Sequence, residues 1–238
     1  MINRKNVIAI IPARGGSKGL VDKNIVSFLG KPLICWSVEL ALENKYIDTI
    51  IVSTDSERIR AIAQKSGAHA PFLRPPSLSS DSATTVEVAM HALDYCLKER
   101  SEIYDYVVLL EPTSPLRKNR DIDLMLEKIE NLSSEYDAII SLGPVKLHPA
   151  LMKRVVSLEV QPFYRDPANT SRRQDLEDLY FPFGVAYIIK SEVLMKEETF
   201  YPTRTTHHII DSNQCFEIDD YCDLIAAEAI MKQNLGLD

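Results

Sequence analysis

Three cations and three glycines crowd one stretch of this chain, Val7 to Asn24, which reads V-I-A-I-I-P-A-R-G-G-S-K-G-L-V-D-K-N. Gly15, Gly16 and Gly19 carry no Cβ, so a ligand can come close to the backbone there. Arg14, Lys18 and Lys23 add positive charge around them. A loop of N–H groups and cations after a short apolar run is, in chemical terms, a cradle for a polyphosphate. A glycine-rich turn with solvated lysines is the plainer alternative. The common phosphate-loop spacings are absent: Gly19 follows Lys18 where a Walker loop has Ser or Thr, and no G-x-G-x-x-G occurs.

A second group of residues lies near the far end of the chain. Glu217 and Asp219 alternate across Ile218, so on an extended segment both carboxylates point to one face. Such a pair can hold Mg2+, which takes one or two carboxylates together with substrate phosphates and water. The competing role is helix capping by Asp219 or Asp220. The roles divide if Asp219 serves the metal and Asp220 or Asp223 serves the helix. His207 and His208 have no Cys or Glu at ligand spacing beside them and read as structural or surface residues. Cys35, Cys96, Cys215 and Cys222 show no C-x-x-C spacing and read as reduced, mostly buried thiols.

The elements that must position these groups alternate in type. Val7 to Ile11 has the apolar, β-branched composition of a buried parallel strand. Helical spacing follows over Pro32 to Glu43, then a strand at Thr49 to Ser53 and a helix over Ser56 to Ser66 stopped by Gly67. A short third strand is expected at Pro71 to Arg74, and a helix running to about Lys98. Further strands are expected at Tyr106 to Leu110, Ala138 to Leu142 and Gly184 to Lys190. Asn119 is the expected cap of the helix ending near Leu132. This order predicts an α/β fold with a doubly wound, mostly parallel, Rossmann-like sheet. Ligands on such sheets sit beyond the carboxyl ends of the strands, and each polar motif here follows a strand.

In that setting the motifs acquire a likeness. I-P-A-R-G-G-S-K-G with Lys23-Asn24 resembles the signature of the acylneuraminate cytidylyltransferases, the CMP-sialic acid synthetase family. S-T-D at Ser53, L-R-P at Leu73, L-x-P-T-S-P-L-R at Leu110, R-R-Q at Arg172 and E-I-D at Glu217 follow in the family's order. The resemblance implies that CTP and a nine-carbon 2-keto sugar acid give a CMP-sugar and pyrophosphate. The anomeric hydroxyl attacks the α-phosphorus with no covalent enzyme intermediate, so positioning and charge neutralisation carry the chemistry.

Carried over residue by residue, the resemblance makes Arg14, Lys23 and Asp219 the catalytic candidates. Ala13, Gly15 and Asn24 join Arg14 and Lys23 at the nucleotide, with Arg74, Asp81 and Thr85 around the cytidine. Glu111, Phe183 and Tyr187 are candidates at the sugar, as are Arg173 and Gln174, Arg173 reaching into the partner subunit's site. Asp219 and Glu217 are the expected ligands of the Mg2+ cofactor. The chain departs from the family at Glu111, where Gln is common, and at Phe183-Gly184-Val185, where Asn-Gly-Ala is frequent. Both departures point away from N-acetylneuraminate toward a modified acid of the legionaminic type. Alternatives are an eight-carbon keto-deoxy acid, or a sugar-nucleotide-binding protein without catalysis.

The 238 residues carry a net charge of −7 and 45% hydrophobic residues. That suits a single domain with a sizeable core and makes the chain a poor general binder of nucleic acid or anionic membrane. No apolar run approaches the roughly 20 residues a membrane span needs, and the N-terminus leads straight into the first strand. The expected location is therefore cytoplasmic. Residues 143–182, interrupted by Pro144, Pro149, Pro162 and Pro167, break the α/β pattern. A stretch of that length is usually functional. With the family likeness, it is the expected clasp of a homodimer.

Overall fold

Side-chain alternation along the first strand sets up the layers. In the computed structural model, which describes residues 2–17, 19–163 and 176–237, strand β1 (Val7–Pro12) sends Val7, Ala9 and Ile11 to one face and Ile8 and Ile10 to the other. A small hairpin of β2 (Ser27–Phe28) and β3 (Lys31–Pro32) follows. The chain then alternates through α1 (Leu33–Glu43), β4 (Thr49–Ser53), α2 (Glu57–Lys65), α3 (Thr85–Arg100), β5 (Tyr106–Leu109), α4 (Asn119–Asn131) and β6 (Ala138–Pro144). After a second hairpin, β7 (Lys153–Val156) and β8 (Glu159–Pro162), come β9 (Tyr180–Lys190), α5 (Ser191–Glu197), β10 (Thr205–Ile209) and α6 (Tyr221–Leu235).

The central sheet has six strands in the order β10-β6-β9-β5-β1-β4. β9 runs antiparallel to both β5 and β6, and the other pairings are parallel. Helices α1, α2 and α4 cover one face through Ile34, Val38, Ile59, Ala63, Ile122 and Met125. Helices α3 and α5 cover the other through Ala89, Leu93 and Leu194. Both faces are buried, as the apolar strand compositions require, and the sheet is doubly wound as the sequence predicts. A third cluster packs Leu224 and Ala227 of α6, with Ile218, against Phe28 and Leu33. It anchors the segment carrying Glu217 and Asp219 beside the first loop.

Two expectations change, and three features go beyond the sequence reading. Pro71 to Arg74 forms no strand: only His69 and Leu73 make isolated parallel bridges to Ile51 and Thr54, because Pro71, Pro75 and Pro76 have no N–H for a ladder. Asn119 does not cap α4. It is the first helical residue, and its side-chain amide donates to the Leu40 carbonyl and accepts from Asn44, tying α4 to α1. Cys215 to Ile218, which leads into α6, has no ladder partners, and Ile218 turns inward, fully buried. The sixth strand, β10, carries His207 and His208, and His208 Nε2 lies 3.0 Å from Asp121 Oδ1 in a structural pair. Within the extension at 143–182, β7 and β8 form a two-stranded hairpin.

Candidate active site

The polar motifs that follow the parallel strands β1, β4 and β5 leave the sheet at the same end. The first loop departs from β1 beside β4: Ala13 N–H donates to the Ser53 carbonyl at 2.9 Å and Gly15 N–H to Asp55 Oδ1 at 2.8 Å. These two N–H groups are therefore committed to the chain itself, and neither Ala13 nor Gly15 lines the cleft. Asn24 is buried, and its amide donates to the Arg14 carbonyl at 2.9 Å, closing the loop into a ring. Gly19 is required by a close approach. A Cβ there would sit 2.4 Å from the Asp219 carbonyl oxygen, so only glycine lets the loop meet the segment that carries the carboxylates.

The cleft that results has a volume of about 370 Å3. Arg14, Lys23, Asn24 and Arg74 line it together with Asp81, Thr85, Glu111, Glu217 and Asp219. Thr85 opens α3, held by a capping box between Thr84 and Glu87. A larger cavity of about 560 Å3 lies at the opposite end of β5, among Leu97, Tyr104, Tyr106 and Met195. No motif among the described residues leads to it.

The cations are not free in this cleft. Arg14 Nη1 is 2.8 Å from Asp81 Oδ1, and Lys23 Nζ is 2.9 Å from Asp219 Oδ1. Arg74 is 6% exposed, and its Nε and Nη2 are buried without hydrogen-bond partners, with Asp55 Oδ1 4.0 Å from Nη2. Burial depresses its pKa, against the pull of Asp55. Unpartnered donors of this kind cost free energy until an acceptor meets them. Three cations face four carboxylates among the described lining residues.

Two of those carboxylates are perturbed. Burial raises the pKa of Glu111, and the neighbouring Glu217 raises it further. Burial also raises Glu217, opposed by the Gly184 N–H that donates to its Oε1. Asp220 caps α6 by accepting from the Asp223 N–H at 2.9 Å. The helix half of the expected division is met by Asp220, and Asp219 is left on the cleft with its side chain 76% exposed.

Two sugar candidates are placed elsewhere. The Phe183 ring packs with Val185, Ile210 and Cys215 and against Gly143, away from the cleft lining. Tyr187 stacks near Phe200 and Tyr201, with ring centroids 6.1 and 6.0 Å away, and burial raises its phenol pKa, with Glu111 and Glu217 adding to the effect. Lys18, Arg173 and Gln174 lie outside the described residues. The sequence reading also gave no role to two residues inside its own motifs, Asp55, which receives the Gly15 N–H, and Arg117, which is buried behind Glu111. Arg117 stands in a recognisable motif, but spacing alone does not reveal that its guanidinium points inward.

A doubly wound sheet whose first loop, a buried arginine and paired carboxylates meet in one cleft defines a nucleotide-handling α/β protein. The chain belongs to the cytidylyltransferase family, whose pattern it matches over residues 8–235. It is 32% identical to pseudaminic acid cytidylyltransferase of Campylobacter jejuni, over 95% of this chain and 97% of that protein. It is 31% identical to CMP-N,N'-diacetyllegionaminic acid synthase of Legionella pneumophila, over 96% of this chain and 97% of that protein. Its fold is similar to that of CMP:2-keto-3-deoxy-manno-octonic acid synthetase solved with CTP, with a TM-score of 0.70 at 19% identity over 96% of this chain and 99% of that one.

Proposed function

We propose that this chain transfers the cytidylyl group of CTP to the anomeric hydroxyl of a nine-carbon 2-keto sugar acid, releasing pyrophosphate. The observation that carries this reading is the convergence of Arg14, Lys23 and Arg74 with Glu217 and Asp219 on one cleft beyond the strand ends. Arg14 and Lys23 take up triphosphate charge, exchanging Asp81 and Asp219 for phosphate oxygens as the nucleotide enters. Arg74 offers unpartnered donors to the nucleotide's polar edge. The names of the two full-length relatives support a sugar acid of this class as acceptor.

The charge balance of the cleft favours a divalent cofactor. A triphosphate entering beside four carboxylates meets net repulsion unless a cation comes with it. Asp219, assisted by Glu217, would hold Mg2+ there. The exposed Asp219 carboxylate beside half-buried Glu217 fits an ion that takes only one or two protein carboxylates. Once held there, the ion supplies charge neutralisation on the phosphates. Among the described residues no group of three or more His, Cys, Asp and Glu side chains is placed to hold a metal without a substrate.

A homodimer clasped through residues 143–182, with Arg173 serving the partner's site, and a cytoplasmic location complete the proposal. Free Cys35, Cys96, Cys215 and Cys222 suit a reducing compartment. For the sugar, Glu111 is the residue that favours an acid of the legionaminic type over N-acetylneuraminate. Phe183 no longer contributes to that choice.

Pyrophosphate release across four nucleoside triphosphates and a panel of eight- and nine-carbon keto acids tests the reading. Release with CTP and a nine-carbon acid only, abolished by excess EDTA, is the expected result. Release with eight-carbon acids alone, or none with any pair, overturns it. Full activity in EDTA removes the metal.

A further inference from the structure

We infer that Arg117, a residue that does not line the cleft, is the positioning residue that fixes Glu111 and Glu217 there through the backbone of Gly184. The inference deepens the proposed function and rests on it for the identity of the ligands. Arg117 is 5% exposed. Its Nε donates to the Val185 carbonyl at 2.9 Å, its Nη1 to Ser37 Oγ at 2.6 Å, and its Nη2 to the Gly184 carbonyl at 2.9 Å and to the Glu111 carbonyl. One guanidinium thus joins the loop after β5, the middle of β9 and helix α1.

The link to the cleft runs through a single peptide pair. The Gly184 carbonyl is held by Arg117, and the Gly184 N–H donates to Glu217 Oε1. The Glu111 carboxylate crosses the same glycine. A Cβ on residue 184 would lie 2.6 Å from Glu111 Oε2 and 2.9 Å from Glu217 Oε1. The two carboxylates therefore occupy the space a side chain would fill, and their positions depend on where the 184 backbone stands. Arg117 also sets that backbone from the side away from the ligand and supplies positive charge behind both acids.

The chemistry requires arginine in particular. A planar fork with five donors can meet four acceptors in three segments at once, whereas a lysine ammonium has three donors on one atom and no plane. Groups that orient ligand-bearing side chains typically change metal affinity or activity by about 10–100-fold when removed.

The test compares wild type, Arg117→Lys and Gly184→Ala. Gly184→Ala leaves Arg117 in place and displaces the carboxylates by its methyl group. The readouts are CTP affinity without keto acid, the Mn2+ midpoint in the presence of CTP by electron paramagnetic resonance, and KM for the keto acid. Both variants are expected to bind CTP as wild type does, while the Mn2+ midpoint and the keto-acid KM rise by about tenfold or more. A loss confined to thermal stability, or CTP affinity falling in parallel with the others, overturns the proposal. If Arg117→Lys does not fold, Ser37→Ala, which removes the acceptor of Arg117 Nη1, decides by the same criteria. If the wild type releases no pyrophosphate with any keto acid, the proposed function fails, and the Mn2+ midpoint still tests the positioning.

Discussion

On the proposed function, Lys23 is the residue on which the nucleotide half of the site turns. Its ion pair with Asp219 is open to solvent on the carboxylate side, and exposed pairs of that kind contribute about 0–1 kcal/mol to folding. Lys23→Ala is therefore expected to keep its melting temperature and to lose turnover by about 100-fold or more, the scale of a preorganised cation at developing charge. Unchanged pyrophosphate release would refute the assignment. On the same proposal, Glu111 carries the sugar half. An ionised Glu only accepts hydrogen bonds, while the family's Gln also donates. Glu111→Gln is expected to shift the kcat/KM ratio between legionaminic-type acid and N-acetylneuraminate by about 10–200-fold toward the latter. A ratio that does not move sinks that role. Much of this site was legible because cations, glycines and carboxylates in fixed order are themselves the chemical signal. The pairing of Arg14 with Asp81 and of Lys23 with Asp219 was not, since those partners are 67 and 196 residues apart. Nor was the position of Phe183, because a strand's alternation gives two faces and does not say which one meets the ligand.

At the scale of elements, the interior strands were legible from β-branched runs, and the edges were not. β10 escapes a pattern reading because T-T-H-H-I alternates poorly and is only partly buried. Its position depends on Asp137, which precedes β6. The Asp137 carboxylate accepts from Arg204 Nε and Nη2, both at 2.6 Å, and from Lys190 Nζ at 2.8 Å, joining the starts of β6 and β10 to the end of β9. Arg204 chiefly, with Lys190, lowers its pKa to about 2 against the opposing effect of burial. A carboxylate held below its unfolded value of about 3.9 stabilises fully above that value. The contribution disappears as pH falls from there through about 2. Asp137→Asn is therefore expected to melt a few degrees below wild type near neutral pH. The gap should close across that acid window. A gap that stays constant down to the acid end would show that the carboxylate charge contributes nothing.

For the molecule as a whole, the hairpin of β7 and β8 presents a physical problem. Leu158 is 100% exposed, and Val155 and Val160 are 74% and 71% exposed. A two-stranded hairpin is marginal alone in water, and clustered apolar side chains at that exposure mark an interaction surface. A second copy of the chain is the partner we propose, and the arrangement can be tested through the sites. Arg173 lies in the same extension and would complete the other subunit's site. In a mixed dimer of Lys23→Ala with Arg173→Ala, the subunit with intact Lys23 then receives intact Arg173 from its partner, so one of its two sites is whole. Random pairing makes half the dimers mixed, so co-expression of the two inactive variants should restore about a quarter of wild-type activity. If Arg173 served its own subunit, every site in the mixture would lack one residue and no activity would return. Replacing Leu158 by Asp should abolish the rescue and, in light scattering, halve the mass. An active monomer at assay concentration would refute both the clasp and the shared site.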